Sequence, residues 1–307
     1  MMSQPRALIL PHRGVLKLTG PDVRSFLQGI VSNDVDRVST DRAVWAAFLT
    51  PQGKFLHEFY LIEAPDAADS NEDQPVLLLD CEKARRDDLL RRLSLYKLRA
   101  QVALADADQD YAVAALFGED AFDALGLPED NPGRAVPFAG GRAYVDPRLA
   151  DLGARAVLPR AGSEAALATA GFAPAEVEAY DRLRIALGVP DGSRDLEVEK
   201  SLLLESGFEE LNGLDWDKGC YMGQELTARV KYRGLVKKRL LPVRIEGPVP
   251  EPGTPVRCGD RDVGIVRSTA GKMALALLRL EYLDDDAAPL TAGEARLTPV
   301  RPEWARF

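Results

Sequence analysis

The chain has 307 residues, more than one ordinary hydrophobic core encloses, so two or three domains are expected. Its net charge of −9 argues against a general nucleic-acid coat, and 46% hydrophobic with 28% charged residues excludes a disordered chain. No apolar run approaches the roughly 18 residues of a membrane span, and the opening M-M-S-Q-P-R-A lacks the apolar core of a secretory leader.

In chain order, Val15–Leu18 reads as a strand stopped at Gly20, and Pro21-Asp22 opens a helix with Val23, Phe26, Leu27 and Ile30 on one face. Val44–Leu49 and Phe55–Ile62 read as a hairpin around the turn Thr50-Pro51-Gln52-Gly53. In its second strand Phe55, His57, Phe59 and Leu61 share one face, and Leu56, Glu58, Tyr60 and Ile62 the other. Ala64 to Pro75 is polar and expected to be a loop. A strand at Val76–Leu79, a helix over Glu82–Tyr96 and strands at Gln101–Leu104 and Tyr111–Phe117 follow, then a short helix at Asp120–Leu125. Residues 126–162, rich in Gly, Pro and Arg, offer one strand, Ala143–Val145. Ser163–Ala170 and Ala175–Leu187 are helical, the second ended by Gly188. Beyond Arg233 β-type segments dominate: Arg239–Ile245, Thr254–Arg257, Asp262–Ser268, Met273–Leu280 and Ala295–Pro299, which suggests a small antiparallel barrel. The fold class is therefore α+β, divided as residues 1–233, with two interleaved subdomains, and 234–307.

The three cysteines, Cys81, Cys220 and Cys258, are scattered and odd in number, which fits a reducing compartment; a cytoplasmic protein is expected. Two histidines, His12 and His57, and no C-x-x-C leave no metal-ligand set, so an iron–sulfur cluster would have to be shared with a partner. His57, between Phe55 and Phe59, reads as a satisfied, partly buried side chain. Cys81 and Cys258 read as packing residues.

The run Lys218–Arg229, K-G-C-Y-M-G-Q-E-L-T-A-R, has another character. Gly219 and Gly223 open backbone geometries closed to other residues. A helix starting near Cys220 would place the thiol at a positive helix end, with Lys218 adding charge, and favour thiolate. The opposing reading is a small buried cysteine beside a glycine turn. Gln224 and Glu225 either hydrogen-bond a ligand or flank the helix, and Arg229 either faces a ligand or pairs with Glu225 at i,i+4. Asn33 and Asp34 either accept from a ligand or form an Asx-type turn. Further on, Arg229, Lys231, Arg233, Lys237, Lys238 and Arg239 form a basic run, which suits an acidic partner, a polyglutamate tail or RNA phosphate, or else a solvated connector and a strand edge guarded by charge.

K-G-C-Y-x-G-Q-E followed by A-R resembles the signature of the YgfZ family of folate-binding iron–sulfur cluster assembly or repair proteins, which are related to the aminomethyltransferase (T-protein) of glycine cleavage. G-P-D-V-R-S-F-L-Q-G-I-V-S-N-D (Gly20–Asp34), L-T-P-Q-G-K (Leu49–Lys54), Y-K-L-R-A (Tyr96–Ala100) and R-I-A-L-G-V-P (Arg184–Pro190) resemble further family segments. The resemblance implies a ring of α+β domains of the aminomethyltransferase type with a C-terminal barrel. It implies tetrahydrofolate or a derivative as cofactor and a transient cluster shared with iron–sulfur carrier or client proteins, among them tRNA-modifying enzymes. On its residues, Lys218 and Cys220 carry the chemistry, and Asn33, Asp34, Arg184, Tyr221, Gln224, Glu225 and Arg229 bind the cofactor. No membrane and no sequence-specific nucleic-acid contact is expected. His57 and Glu58 stand where the transferase has an aspartate pair, Ala186 where it has glutamate, and Cys220 where it usually has aspartate. These departures weigh against aminomethyl transfer, and Glu58 reads as a solvated strand residue. A folate-dependent aminomethyltransferase and a noncatalytic folate-binding scaffold are the alternatives.

Overall fold

The computed structural model describes residues 4–64, 75–283 and 288–306; the expected loop after Ala64 falls almost wholly outside them. The chain forms two compact units, each assembled from separated stretches of sequence. The first is Met1–Leu49, His57–Val177 and Asn212–Met222; the second is Thr50–Leu56, Glu178–Leu211 and Gly223–Phe307.

One sheet has six strands in the order Ala173–Pro174, Arg6–Ile9, Tyr111–Phe117, Ala154–Pro159, Gly141–Val145, Ala135–Phe138. A second has five, in the order Val44–Leu49, Phe55–Glu63, Leu77–Glu82, Arg13–Thr19, Ala103–Asp106. The expected hairpin is formed, but its second strand is buried on both faces. His57, as expected, is enclosed and satisfied: Nε2 lies 3.0 Å from Asp88 Oδ2, and the ring stacks on Phe48. Glu58 corrects the sequence reading. It is buried, accepting from Arg13 Nη1 and from Trp45 Nε1, each at 2.5 Å. Arg13 Nε also donates to Asp80 Oδ1 at 2.6 Å, and Arg155 Nη2 to Asp80 Oδ2 at 2.5 Å. Burial alone would raise the Asp80 carboxyl's pKa; Arg13 and Arg155 outweigh it and hold the group below the usual range. The guanidinium of Arg155 lies 4.0 Å from the centre of the Tyr60 ring, a cation–π contact inside the core.

Three sequence expectations are revised by this core. Ala135–Phe138 and Ala154–Pro159 are strands flanking an extended Gly141–Val145, where one strand was expected. Arg142 and Arg155, charged residues within these strands, are both buried. The helix expected from Glu82 begins at Arg86, after a strand that continues through Glu82 and one 3₁₀ turn at Lys83–Arg85. Asp120–Leu125 reduces to a 3₁₀ turn, Asp123–Leu125.

In the second unit, six antiparallel strands close a barrel in the order Lys238–Glu246, Met273–Arg279, Arg261–Ala270, Pro255–Cys258, Leu290–Ala292, Ala295–Pro299. Closure leaves no free edge, and the interior is filled by Val243, Val256, Val266, Ala276, Leu278 and Leu297 among others. Gly53 belongs to this unit. Its φ is +80°, and a Cβ there would lie 2.6 Å from Gly223 O and 2.7 Å from Leu226 Cβ. The hairpin turn therefore approaches the start of the helix Gln224–Tyr232 as only glycine permits.

Candidate functional site

Within the first unit, the segment Asn212–Met222 is fastened to Gln28–Asn33 by a ladder of hydrogen bonds. Asn33 Nδ2 donates to Asn212 O (2.7 Å), Ser32 Oγ to Gly213 O (2.6 Å) and Asp215 N to Ser32 O (3.1 Å). Lys218 Nζ donates to Gln28 O (2.6 Å) and Val31 O (2.8 Å), and Met222 N to Gly29 O (3.0 Å). The two stretches most distinctive in the sequence are thus bound side by side. Cys220 lies between the anchors at Lys218 and Met222 and is exposed.

The structure corrects one premise about this thiol. The helix starts at Gln224 with Gly223 as its N-cap, so Cys220 is neither the N-cap nor in the first turn, where the expectation placed it. The buried-cysteine alternative fails too, since Cys220 is exposed while Cys81 is the buried one. Lys218 turns its ammonium onto two backbone carbonyls and over the Tyr221 ring, 5.1 Å from its centre. Burial lowers its pKa to about 8, against the opposing pull of Asp34, Asp215 and Asp36. Tyr221 is buried beneath that charge.

Asn33 and Asp34 hold local structure. Asn33 Nδ2 also donates to Trp45 O at 2.7 Å, and Asn33 Oδ1 accepts from Asp34 N. Asp34 Oδ1 accepts from Asp36 N and from Gln28 Nε2, capping the 3₁₀ turn Val35–Arg37. In the second unit, Arg184 is 1% exposed and bonds Asp181 Oδ1 (2.6 Å) and Asp195 Oδ2 (2.7 Å), while Asp195 Oδ1 accepts from Ser268 N of the barrel. Gln224, Glu225 and Arg229 stand on the helix Gln224–Tyr232, the last two exposed. The i,i+4 pair that Glu225 and Arg229 could form is not made among the described residues.

The first unit also holds a pocket of about 300 Å³ beside the ladder. Asn33 and Asn212 line it, together with Trp45, Pro132 and Pro147, and with Arg37, Arg42 and Asn131 as polar groups. Arg42 Nη2 donates to Asn131 Oδ1 at 3.2 Å, and Arg37 lies 3.4 Å from Asp215 Oδ2. Trp45, Arg37, Arg42 and Asn212 were not singled out from the sequence. The Asn212-Gly213 pair, a turn signal, was the one available hint.

The chain is similar to known proteins. Residues 237–307 fit the family model described as the CAF17 C-terminal beta-barrel domain. The chain is 31% identical to the mitochondrial iron–sulfur cluster assembly factor IBA57 of Mus musculus, over 96% of this chain and 84% of that protein. It is 32% identical to IBA57 of Homo sapiens, over 89% of this chain and 77% of that protein. This chain belongs to the IBA57 family of iron–sulfur cluster assembly factors. It also matches the IBA57 homolog of Mycosarcoma maydis at 33% identity over 76% of this chain, but spans only 56% of that protein. The fold is that of the glycine cleavage aminomethyltransferase T from Bartonella henselae, with a TM-score of 0.76 at 13% identity over 99% of this chain and 87% of that one. These IBA57 relatives are named as mitochondrial, which overturns the cytoplasmic expectation. Unpaired thiols report a reducing environment and carry no address within the cell.

Proposed function

We propose that this member of the IBA57 family acts in the YgfZ manner, binding tetrahydrofolate or a derivative and handling a [4Fe–4S] cluster as cargo through Cys220. The observation that carries the reading is an exposed thiol held between two anchored residues, Lys218 and Met222. A cluster of this kind takes about four ligands. Among the described residues no group of three or more His, Cys, Asp or Glu is placed to hold a metal ion. The other ligands then come from a carrier or client protein, with radical-type tRNA-modifying enzymes among the clients. Lys218 acts by holding the loop that presents the thiol.

The pocket beside the ladder suits a pterin. It lies at the small end of the range for ligand sites, about 300–1,000 Å³. Pro132 and Pro147 give apolar lining for a ring, and Asn131, Asn212 and Arg42 suit an edge of amide-like donors and acceptors. When bound, a tetrahydrofolate supplies one-carbon chemistry. Aminomethyl transfer draws no support from Glu58, the residue nearest in type to the transferase's acids, because Arg13 and Trp45 already occupy its carboxylate.

The test is the activity of a [4Fe–4S] client enzyme in cells lacking this protein, rescued by wild type or Cys220→Ala, beside a tetrahydrofolate titration of both purified chains. The reading expects failed rescue by Cys220→Ala with unchanged folate binding. Equal rescue removes the thiol and leaves a folate-binding scaffold; turnover with a lipoyl carrier protein in a glycine-cleavage assay would establish the transferase instead.

A further inference from the structure

The basic run Arg229–Arg239 lies within the second unit, and the structure sorts its six cations. Lys231 pairs with Glu209, and Arg239 with Glu210 at 2.8 Å; these two fasten the segment. The charge of Lys238 bears on Glu205. Arg229, Arg233 and Lys237 are exposed and make no side-chain hydrogen bond or ion pair among the described residues. The ordinary reasons do not reach all of them. The Glu225–Arg229 helix pair is not formed among the described residues. Strand Lys238–Glu246 pairs with Met273–Arg279 along Lys238–Arg244 but with Ala295–Pro299 only from Val243 to Glu246, so charge can guard an edge near Lys237–Arg239, whereas Arg229 and Arg233 lie before the strand.

Large apolar side chains stand among these charges. Tyr232 is 76% exposed and Leu235 43%. They flank a rigid helix end: Gly234 has φ +59°, Gly234 N donates to Lys231 O at 3.1 Å, and Leu235 N donates to Val230 O at 2.9 Å. That pair of bonds is the Schellman arrangement, which fixes the backbone after the last helical turn. A preformed turn carrying an aromatic, a leucine and arginines loses little conformational freedom on docking, and Tyr and Arg are the side chains that most often dominate interfaces.

We infer that this turn is a docking site for an acidic protein surface, with Tyr232 and Leu235 as apolar anchors and Arg229, Arg233 and Lys237 pairing with carboxylates. The chain's own net charge of −9 opposes general attraction of acidic partners, so the local patch selects where one lands. Nucleic acid is disfavoured because Tyr232 is the single aromatic in the run, too few for stacking successive bases.

The test titrates the full chain with three labelled probes of equal length: a peptide alternating acidic residues with leucine, an all-glutamate peptide, and a single-stranded RNA. The mixed peptide should bind most tightly. The double variant Arg233→Glu, Lys237→Glu should weaken it about tenfold, the size of one good interface contact. Tyr232→Ser should weaken it several-fold even in high salt, where the charges are screened. These positions are exposed, so thermal melts should match wild type. Tighter binding of RNA, equal binding of the all-glutamate peptide, or less than a twofold effect of both variants would overturn the inference. Cys220→Ser should bind the mixed peptide as wild type does, which separates this site from the cluster reading.

Discussion

Lys218 Nζ reaches Val31 O at 2.8 Å, so the lysine of the signature run is tied to the backbone just beyond the first helix. With Gln28 O as its second acceptor, it closes the ladder two residues before Cys220. Lys218→Met should remove both bonds and leave two partly buried carbonyls without their donor, a cost of about 1–3 kcal/mol. Hydrogen exchange should quicken at the amides of Asp215 and Met222, which donate into the same ladder. Unchanged exchange there would mean that the loop is held without the lysine.

The three thiols should separate sharply toward a neutral alkylating reagent. Cys220 is exposed and should react first. Cys258 is half-buried, its Sγ 3.3 Å from Ala288 O, and should follow slowly. Burial pushes the Cys81 thiol far up, so it should react only on unfolding. Mass-spectrometric timing of the labels checks the order, and early labelling of Cys81 would contradict the packing of the strand Leu77–Glu82.

Glu58→Gln keeps the shape of the side chain but leaves the Arg13 guanidinium facing one fewer charge inside the core. Removing one partner of a buried pair costs about 3–5 kcal/mol; retained hydrogen bonds to Gln and the remaining pairing with Asp80 place this variant near the lower figure. Denaturant titration should show the loss. A stability within about 0.5 kcal/mol of wild type, the range of ordinary surface changes, would return Glu58 to the solvated role its strand pattern suggested.

The parts legible in the sequence were those whose cause is local. Glycine and proline marked the Thr50–Gly53 turn, and short strands with glycine turns marked the barrel. The illegible parts depend on partners far away in sequence. Glu58 reads as solvated along its strand, and Arg155 falls in a stretch where no strand was expected, yet each is neutralised by residues from other strands, Glu58 by Arg13 and Arg155 by Asp80. The same distance hid the contacts of Lys218. Its two neighbours in the signature suggested thiol activation, whereas its ammonium bonds residues nearly two hundred positions earlier in the chain. Cys220 stood out from composition and flanking glycines alone, but its exposure and the delayed helix start required the fold.

Gly53→Ala should be unusually costly for a turn substitution. The new methyl meets Gly223 O and Leu226 Cβ at distances that real Cβ atoms avoid, in a backbone region strained for alanine. A loss of about 2 kcal/mol or more is expected from left-handed strain plus overpacking. Since the methyl presses on the N-cap of the helix Gln224–Tyr232, circular dichroism and exchange at that helix should register it, while Gly271→Ala, with open space around its φ of +60°, should pay for strain alone.

His57 makes stability depend on acid. Burial, then the charge of Arg85, lowers its pKa from 6.5 to about 4, against the favourable bond to Asp88. Between about pH 6.5 and 4 the unfolded chain holds the proton and the folded chain does not, so protonation pulls toward unfolding. Stability on this account is fully present above pH 6.5, falls as pH drops through the window, and levels off below about 4. The displacement of roughly 2.5 pKa units corresponds to about 3 kcal/mol at the acid end. Asp88 titrates lower still: burial would raise it, but hydrogen bonds from Arg92, Arg91 and His57 prevail, so it stays charged through the window. His57→Phe keeps an aromatic ring against Phe48 and removes the titration. Denaturation midpoints measured from pH 7 to 4 should therefore fall less steeply for His57→Phe than for wild type, and parallel curves would show that the imidazole does not carry the acid sensitivity.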